Sequence, residues 1–399
     1  MSILQLKDKE CWFLKDKDIS FVLQLLESHK GQAYIIGGAV RNIFFECASP
    51  QDDIDIATDL RPHIVQHIAE ENEIKVVTSA IAHGTVTWVV KERVFEITTF
   101  RYDTKTDGRH AVVTFSDTIE EDAIRRDFTV NALYCDRSGK VYLPVTNIED
   151  IQKKRINFIG NISQRIQEDY LRILRYFRFI SLYGIPDNFE CVCKEISETL
   201  LIQFKRPSAE RNFIEFKKMV VGRYFIGMLP MLRKYKIFEC FFECPVAILL
   251  EDMQSILALI EKYNLLFQHY MWVAFLFEQK DIIKNEDMFR FSRIEKRHIH
   301  KIFDLYNLFQ NAEDFYGILV QKYDYEKSVF DAALLKYIIC KKQERVKILF
   351  DTDIPKCNIS AQDLIKEGVA PKDLKAKIQA LRYDNLRLKF SNLDSLIIK

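Results

Sequence analysis

Two aspartates one residue apart, Asp53 and Asp55, alternate with apolar Ile54 and Ile56. In an extended strand successive side chains take opposite faces, so this spacing puts both carboxylates on one side. A same-face carboxylate pair can hold divalent cations, and Mg²⁺ prefers one or two carboxylates plus phosphate oxygens and water. Just upstream, Ile35-Ile36-Gly37-Gly38-Ala39-Val40-Arg41 reads as a strand end, a turn and a helix start. Lacking a Cβ, Gly37 and Gly38 let backbone N–H groups come close to a phosphate. The N-terminus of the short helix that follows favours an anion, and Arg41 in its first turn offers a charge-assisted contact. Together these residues describe metal-assisted phosphoryl transfer. The alternative is a turn followed by a plain strand with surface acids.

Three later segments bear on that choice. Glu96 is an acid between Phe95 and Ile97. It is either a third carboxylate, acting as metal ligand or as base for an attacking hydroxyl, or an exposed acid on a half-buried strand. The run Arg125-Arg126-Asp127-Phe128-Thr129-Val130-Asn131 sets two arginines, an aspartate and an asparagine among apolar residues. There Arg126 suits a phosphate and Asp127 suits a ribose hydroxyl, unless the segment is a structural Arg-Asp junction. In Glu168-Asp169-Tyr170-Leu171-Arg172-Ile173-Leu174-Arg175-Tyr176-Phe177-Arg178, the residues Asp169, Arg172, Arg175 and Arg178 recur every third position. On one continuous helix that makes a polar stripe able to meet a base edge and phosphates. A solvated charged face is the competing reading.

The elements that must position these groups follow from periodicity. Helices are expected over 19–28, 39–45 and 63–71, and strands over 33–36, 75–77, 85–91 and 93–101, with the aspartates on a strand of their own. Residues 103–109 are polar with an Asp107-Gly108 turn signal, so a mobile loop is expected there. From about Gly160 the pattern is helical to the end.

Composition narrows the class. At 399 residues the chain is long for one core, and 48% hydrophobic with 29% charged residues fits a globular protein. A net charge of +1 means that any nucleic-acid binding must come from locally concentrated basic residues. Nine cysteines without metal-site spacing read as reduced thiols in a cytoplasmic protein. Lysines mixed with acids over the first eighteen residues argue against a targeting peptide, and no apolar run is long enough for a membrane span. The sequence fixes no oligomeric state.

These segments, in this order, resemble the class II tRNA nucleotidyltransferases and bacterial poly(A) polymerases of the polymerase-β-like nucleotidyltransferase superfamily. The likeness covers roughly residues 30 to 220 and includes Asp107-Gly108-Arg109 and, more weakly, Glu210-Arg211. The Glu168–Arg175 segment looks most like the alphaproteobacterial CCA-adding members. The resemblance implies an α+β seahorse: a head of mixed sheet and helices (1–155), then an all-α neck (156–225), body (226–350) and tail (351–399). It implies template-independent addition of C, C and A to tRNA from CTP and ATP with Mg²⁺. Poly(A) synthesis, or addition of only CC or only A, is the nearest alternative, and a non-catalytic RNA-binding scaffold a remote one. It further implies Asp53 and Asp55 as metal ligands; with Glu96 from the residue reading above, these are the candidate catalytic carboxylates. The nucleotide set is Gly37, Gly38, Arg41, Arg126, Asp127, Asn131, Glu168, Asp169, Arg172, Arg175 and Arg178. Within that set Asp169 and Arg172 read the base. One departure stands out: Thr146 and Asn147 replace a glycine pair at the family's head-to-neck hinge.

Overall fold

Apolar residues alternate along the chain at 54–56, 86–88 and 95–97, and that alternation builds one sheet with a hydrophobic side. A computed structural model describes residues 2–6, 11–50, 53–107, 110–202, 204–246, 253–265, 268–311, 315–341, 349–350, 352, 354 and 360–389. The chain divides into two compact units, residues 1–207 with 222–224 and residues 208–221 with 225–399.

In the first unit the strands are β1 (Ser2–Gln5), β2 (Ala33–Ile36), β3 (Ile54–Thr58), β4 (Lys75–Val77), β5 (Thr85–Val90), β6 (Arg93–Thr99), β7 (Arg101–Asp107), β8 (His110–Phe115), β9 (Tyr134–Cys135) and β10 (Lys140–Leu143). Eight of them form one sheet in the order β1-β10-β9-β2-β3-β6-β5-β4. All its pairings are antiparallel except β3 with β6, which run parallel. The helices are α1 (Lys17–Ser28), α2 (Gly38–Phe44), α3 (Pro62–Glu71), α4 (Ile119–Ile124), α5 (Ile148–Gln152), α6 (Ile162–Glu168), α7 (Leu171–Tyr183) and α8 (Phe189–Ile202). Asp16 caps α1 by accepting from the backbone N–H groups of Asp18 and Ile19. From α1, Ile19, Val22, Leu23 and Leu26 pack with Val65 and Ile68 of α3 against Ile54, Ile56, Phe95 and Ile97 of the sheet. Ile54 and Ile56 therefore anchor β3 to the helical side, and Asp55 takes the opposite face, which it shares with Ala57, Phe100 and Tyr134.

Two expectations fail locally. The segment expected as a mobile loop is a β-hairpin: β7 and β8 pair antiparallel through Tyr102 opposite Thr114 and Asp107 opposite His110. Thr104, Thr106, Val112, Val113 and Thr114 supply the β-branched residues that its polar composition hides. Gly108 and Arg109 lie outside the described residues. The single helix expected through Glu168 and Asp169 is two helices. Glu168 ends α6, Asp169 is extended at φ −153° and ψ 105°, and α7 begins at Leu171. The Asp169 carboxylate accepts from Leu171 N at 3.1 Å, a local side-chain bond that competes with helix continuation.

The second unit is helical throughout its described residues. Its longest helix, Arg293–Gln310, opens on a capping box between Ser292 and Glu295. The phenylalanine-rich composition is accounted for here: Phe213, Phe216, Phe238, Phe242, Phe277, Phe289 and Phe291 stack edge-on and face-on in one aromatic core. Among the described residues no helix is long and apolar enough to cross a membrane.

Candidate active site

Strand register brings the first acids together. β3 and β6 pair with Asp55 opposite Glu96, so the two carboxylates stand side by side on one face of the sheet. Asp53 lies one residue before β3 and is exposed, and its charge adds to the repulsion felt by Asp55. Burial, then Glu96, push the Asp55 carboxyl up to about 6, while Arg126 pulls the other way. Among the described residues no side chain hydrogen-bonds or ion-pairs with Asp53, Asp55 or Glu96. Nor do three acid, histidine or cysteine side chains converge into a complete cage. The donor set thus fits a divalent cation that completes its shell with phosphate oxygens and water. Glu96 stands beside that position as a neighbour of Asp55.

The glycine turn abuts the same carboxylate. β2 pairs with β3 so that Ile36 faces Asp55, and the next residue turns the chain away. Gly37 sits at φ +66°, where an L side chain is strained, and a Cβ there would lie 3.8 Å from Asp55 Oδ2. Gly38 begins α2. Arg41 is buried, 8% exposed. It donates through Nη1 to Asn131 Oδ1 at 2.6 Å and through Nη2 to Tyr183 OH at 2.8 Å and Asn42 Oδ1 at 3.1 Å. Both terminal nitrogens expected to meet a phosphate are therefore engaged by the protein.

The Arg125–Asn131 segment follows α4, and its key residue is one that sequence reasoning passed over. Asp122, 1% exposed, accepts from Arg125 Nε at 2.8 Å, from Arg126 Nη2 at 2.7 Å and from Tyr134 OH at 2.6 Å. Burial alone would raise its pKa. The two guanidiniums and the tyrosine bond outweigh burial and hold it at about 2. Asp122 thereby fixes Arg126 beside Asp55. The available signal was the i, i+3, i+4 spacing of Asp122, Arg125 and Arg126.

Asp127 points to the other side. Its Oδ1 accepts from Phe128 N at 2.8 Å and Asn131 Nδ2 at 2.9 Å. Its Oδ2 lies 2.5 Å from Arg175 Nη2 as an ion pair but has no aligned hydrogen bond. Burial raises the pKa of this carboxyl, and Arg175 with the two hydrogen bonds lowers it further still, so the net shift is downward.

Helix α7 delivers the remaining candidates. Arg172, Arg175 and Arg178 are half-buried along one stripe, between fully buried Leu171, Leu174 and Phe177. Arg172 donates to Glu168 Oε2 at 2.6 Å, which also pairs with Arg165 at 2.5 Å. Glu168 therefore bridges Arg165 of its own helix to Arg172 of α7. Arg165, also unremarked in the sequence, donates to the carbonyl of Arg125 at 2.6 Å and ties α6 to the arginine loop. Arg178 lies 4.6 Å from the Phe179 ring centroid. Asp169 stands at the N-terminal end of this stripe, on the α6–α7 junction and off the helix itself. At the hinge, Asn147 caps α5 by accepting from Asp150 N at 2.8 Å.

Comparison with known proteins agrees with this geometry. Residues 33–157 match the poly A polymerase head domain. The chain is 33% identical over 236 residues to the mitochondrial CCA tRNA nucleotidyltransferase 1 of Danio rerio, covering 57% of this chain and 53% of that protein. It therefore spans about half the length of that relative. Against the human protein of the same name the identity is 28% over 401 residues, 95% of this chain and 88% of that one. The Bacillus stearothermophilus CCA-adding enzyme, solved in complex with CTP, shares the fold with a TM-score of 0.62 at 22% identity over 94% of this chain and 98% of that one. The chain thus carries a poly A polymerase head domain over residues 33–157 and shares its fold with a CCA-adding enzyme.

Proposed function

We propose that this protein adds C, C and A to the 3′ end of tRNA, using CTP and ATP and releasing pyrophosphate. One observation carries the reading: Asp55, Glu96 and the Gly37 turn adjoin on one sheet face, while Asp127 pairs with Arg175 of α7 and links the head residues to the polar helix stripe. The reaction is in-line attack of the tRNA 3′-hydroxyl on the α-phosphate of the nucleotide. Mg²⁺ held by Asp53 and Asp55 supplies Lewis-acid stabilisation of the phosphoryl charge when bound. Glu96 takes the proton of the attacking hydroxyl. Backbone N–H groups at Gly37 and Gly38, with Arg126 clamped by Asp122, hold the triphosphate. Asp127 accepts from the ribose, with Asn131 fixing its orientation. Asp169 and Arg172 read the base edge; Glu168 orients Arg172, and Arg175 and Arg178 support the site. Within the chain, residues 1–155 form the catalytic head, 156–225 a neck that recognises the nucleotide, 226–350 a body and 351–399 a tail that binds tRNA. A reducing compartment suits the described cysteines, which are free thiols, and we place the protein in the cytoplasm.

The test is one incubation series: tRNA lacking its 3′ CCA, supplied with CTP alone, ATP alone and both, resolved to single nucleotides. Addition of two C, none, and CCA respectively supports the reading. Long A tracts from ATP alone identify a poly(A) polymerase, and addition limited to C or to A a partial enzyme. No addition under any condition leaves an RNA-binding scaffold.

A further inference from the structure

The last residue of α7 is tied to the residues proposed to hold the sugar, through a chain of buried and part-buried polar contacts. Tyr183 OH accepts from Arg41 Nη2 at 2.8 Å and donates to Asn42 Oδ1 at 3.1 Å. Its ring stacks on Phe179 at 6.0 Å with an interplanar angle of 17° and meets the edge of Phe45 at 4.8 Å. The Arg41 guanidinium lies 5.0 Å from the centroids of both the Phe179 and Tyr183 rings, so it is clamped by stacking as well as by hydrogen bonds. From Arg41 the chain runs through Nη1 to Asn131 at 2.6 Å, from Asn131 Nδ2 to Asp127 Oδ1 at 2.9 Å, and from Asp127 Oδ2 to Arg175 at 2.5 Å. Arg175 is again on α7, two turns before Tyr183. The relay therefore leaves the helix, crosses the glycine-turn helix and the arginine loop, and returns to it.

Its geometry fixes one lone pair. Asp127 Oδ1 is saturated by Phe128 N and Asn131. Oδ2 is buried and lacks an aligned donor. Arg175 compensates its charge from 2.5 Å, and a ligand hydroxyl would supply the aligned hydrogen bond it lacks. The carboxylate is oriented by Asn131 on Oδ1 and by Arg175 on Oδ2, Asn131 is held by Arg41, and Arg41 by Tyr183.

We infer that Tyr183 is a positioning residue for sugar selection, acting through Arg41 and Asn131 to aim Asp127 Oδ2 at the 2′-hydroxyl of the incoming nucleotide. This rests on the nucleotidyltransferase reading above. The perturbation is Tyr183→Phe, which keeps the ring stack and removes only the hydroxyl. The readout is the ratio of kcat/KM for CTP to that for dCTP on tRNA lacking CCA, with thermal melting measured alongside. The wild-type chain is expected to prefer CTP. In Tyr183→Phe the preference falls about tenfold, the size of a lost hydrogen bond to a charged group. KM for CTP rises while kcat and melting change little. In an Asp127→Asn background, Tyr183→Phe should have no further effect on the ratio, because both changes act on one interaction. If Tyr183→Phe does not fold, Asn42→Ala, which removes the second partner of the hydroxyl, is expected to shift the ratio in the same direction. An unchanged ratio, with or without a lower melting temperature, makes Tyr183 merely structural and overturns the inference, as does a wild-type chain indifferent to the 2′-hydroxyl. Additive effects with Asp127→Asn also overturn it. Failure of the wild-type chain to incorporate CTP at all is a separate result, which removes the function reading and this inference together.

Discussion

Replacing Asp122 with asparagine tests whether one buried carboxylate assembles the arginine side of the site. The substitution keeps the shape and removes the charge. Asp122 is 1% exposed, so solvent screening removes little of its interaction with Arg125 and Arg126, each 2.7 Å away as an ion pair. Its pKa is lowered from the ordinary 3.8 to about 2. That lowering corresponds to about 2–3 kcal/mol of native-state stabilisation. The asparagine amide also turns a donor toward arginine donors, so the expected loss at pH 7 is about 2–4 kcal/mol, approaching the ~3–5 kcal/mol of a broken buried pair for Asp122→Ala. The sign is fixed by linkage. A depressed carboxylate pKa stabilises the fold above the unfolded value and loses that effect as pH falls toward the folded one. The gap between wild type and Asp122→Asn is therefore flat from pH 8 to 5 and closes between about pH 4 and 2. Urea titration followed by fluorescence of Trp88, fully buried in the same unit, measures it. Nucleotide kcat/KM should fall at least tenfold in parallel, because Arg126 loses its anchor. A variant within about 0.5 kcal/mol of wild type, the scatter of a neutral surface change, refutes the anchoring. So does a gap that varies between pH 5 and 8.

Other outcomes follow from the same geometry. Asp53→Ala or Asp55→Ala should abolish addition of both C and A while leaving melting and tRNA binding near normal; residual turnover close to wild type in Mg²⁺ contradicts the ligand assignment. Asp169→Ala should raise UTP and GTP incorporation relative to CTP and ATP by about tenfold, the cost of one mispaired polar edge, and a proportional fall for all four nucleotides would move base reading elsewhere. Arg175→Met removes the cation that most lowers the Asp127 pKa, so the acid limb of nucleotide kcat/KM should move to higher pH; an unmoved limb means Asp127 does not touch the nucleotide. Affinity for tRNA should drop steeply between low and physiological salt, as for phosphate-dominated binding, and filter binding at two salt concentrations checks it.

The legible part of the site was what local spacing encodes. The Asp-x-Asp alternation, the glycine pair and the three-residue arginine repeat each imply a face, and β2, β3 and α7 present those faces. Other features depend on register between distant strands or on a third partner. Whether Glu96 neighbours the aspartates is decided by the pairing of β3 with β6, which no local pattern reports. Arg41 reads as a phosphate contact from its place in the first turn of α2; its bonds to Asn131 and to Tyr183, both far along the chain, are what no local pattern reports. The break between α6 and α7 escaped notice because Asp169 continues the three-residue repeat while its carboxylate bonds to the backbone of the next turn. The β7–β8 hairpin was masked by polar composition, although Thr104, Thr106, Val112, Val113 and Thr114 are the β-branched residues that strands favour.

The single parallel pairing in the sheet has a kinetic side. Asp55 meets its β2 neighbour Ile36 across about 20 residues of chain, but meets Glu96 across about 40. Doubling a loop costs only about 0.6 kcal/mol of closure entropy. A parallel contact, however, needs its whole crossover in place, here α3, β4 and β5, before the ladder forms. A nascent chain can thus close the glycine-turn hairpin around Asp55 well before the second acid arrives. The repulsion between the two carboxylates is deferred until the hydrophobic face behind them has already consolidated. The centre that holds the acids is in this sense timed by topology: the contact between like charges closes over about twice the chain separation of the antiparallel pairing beside it.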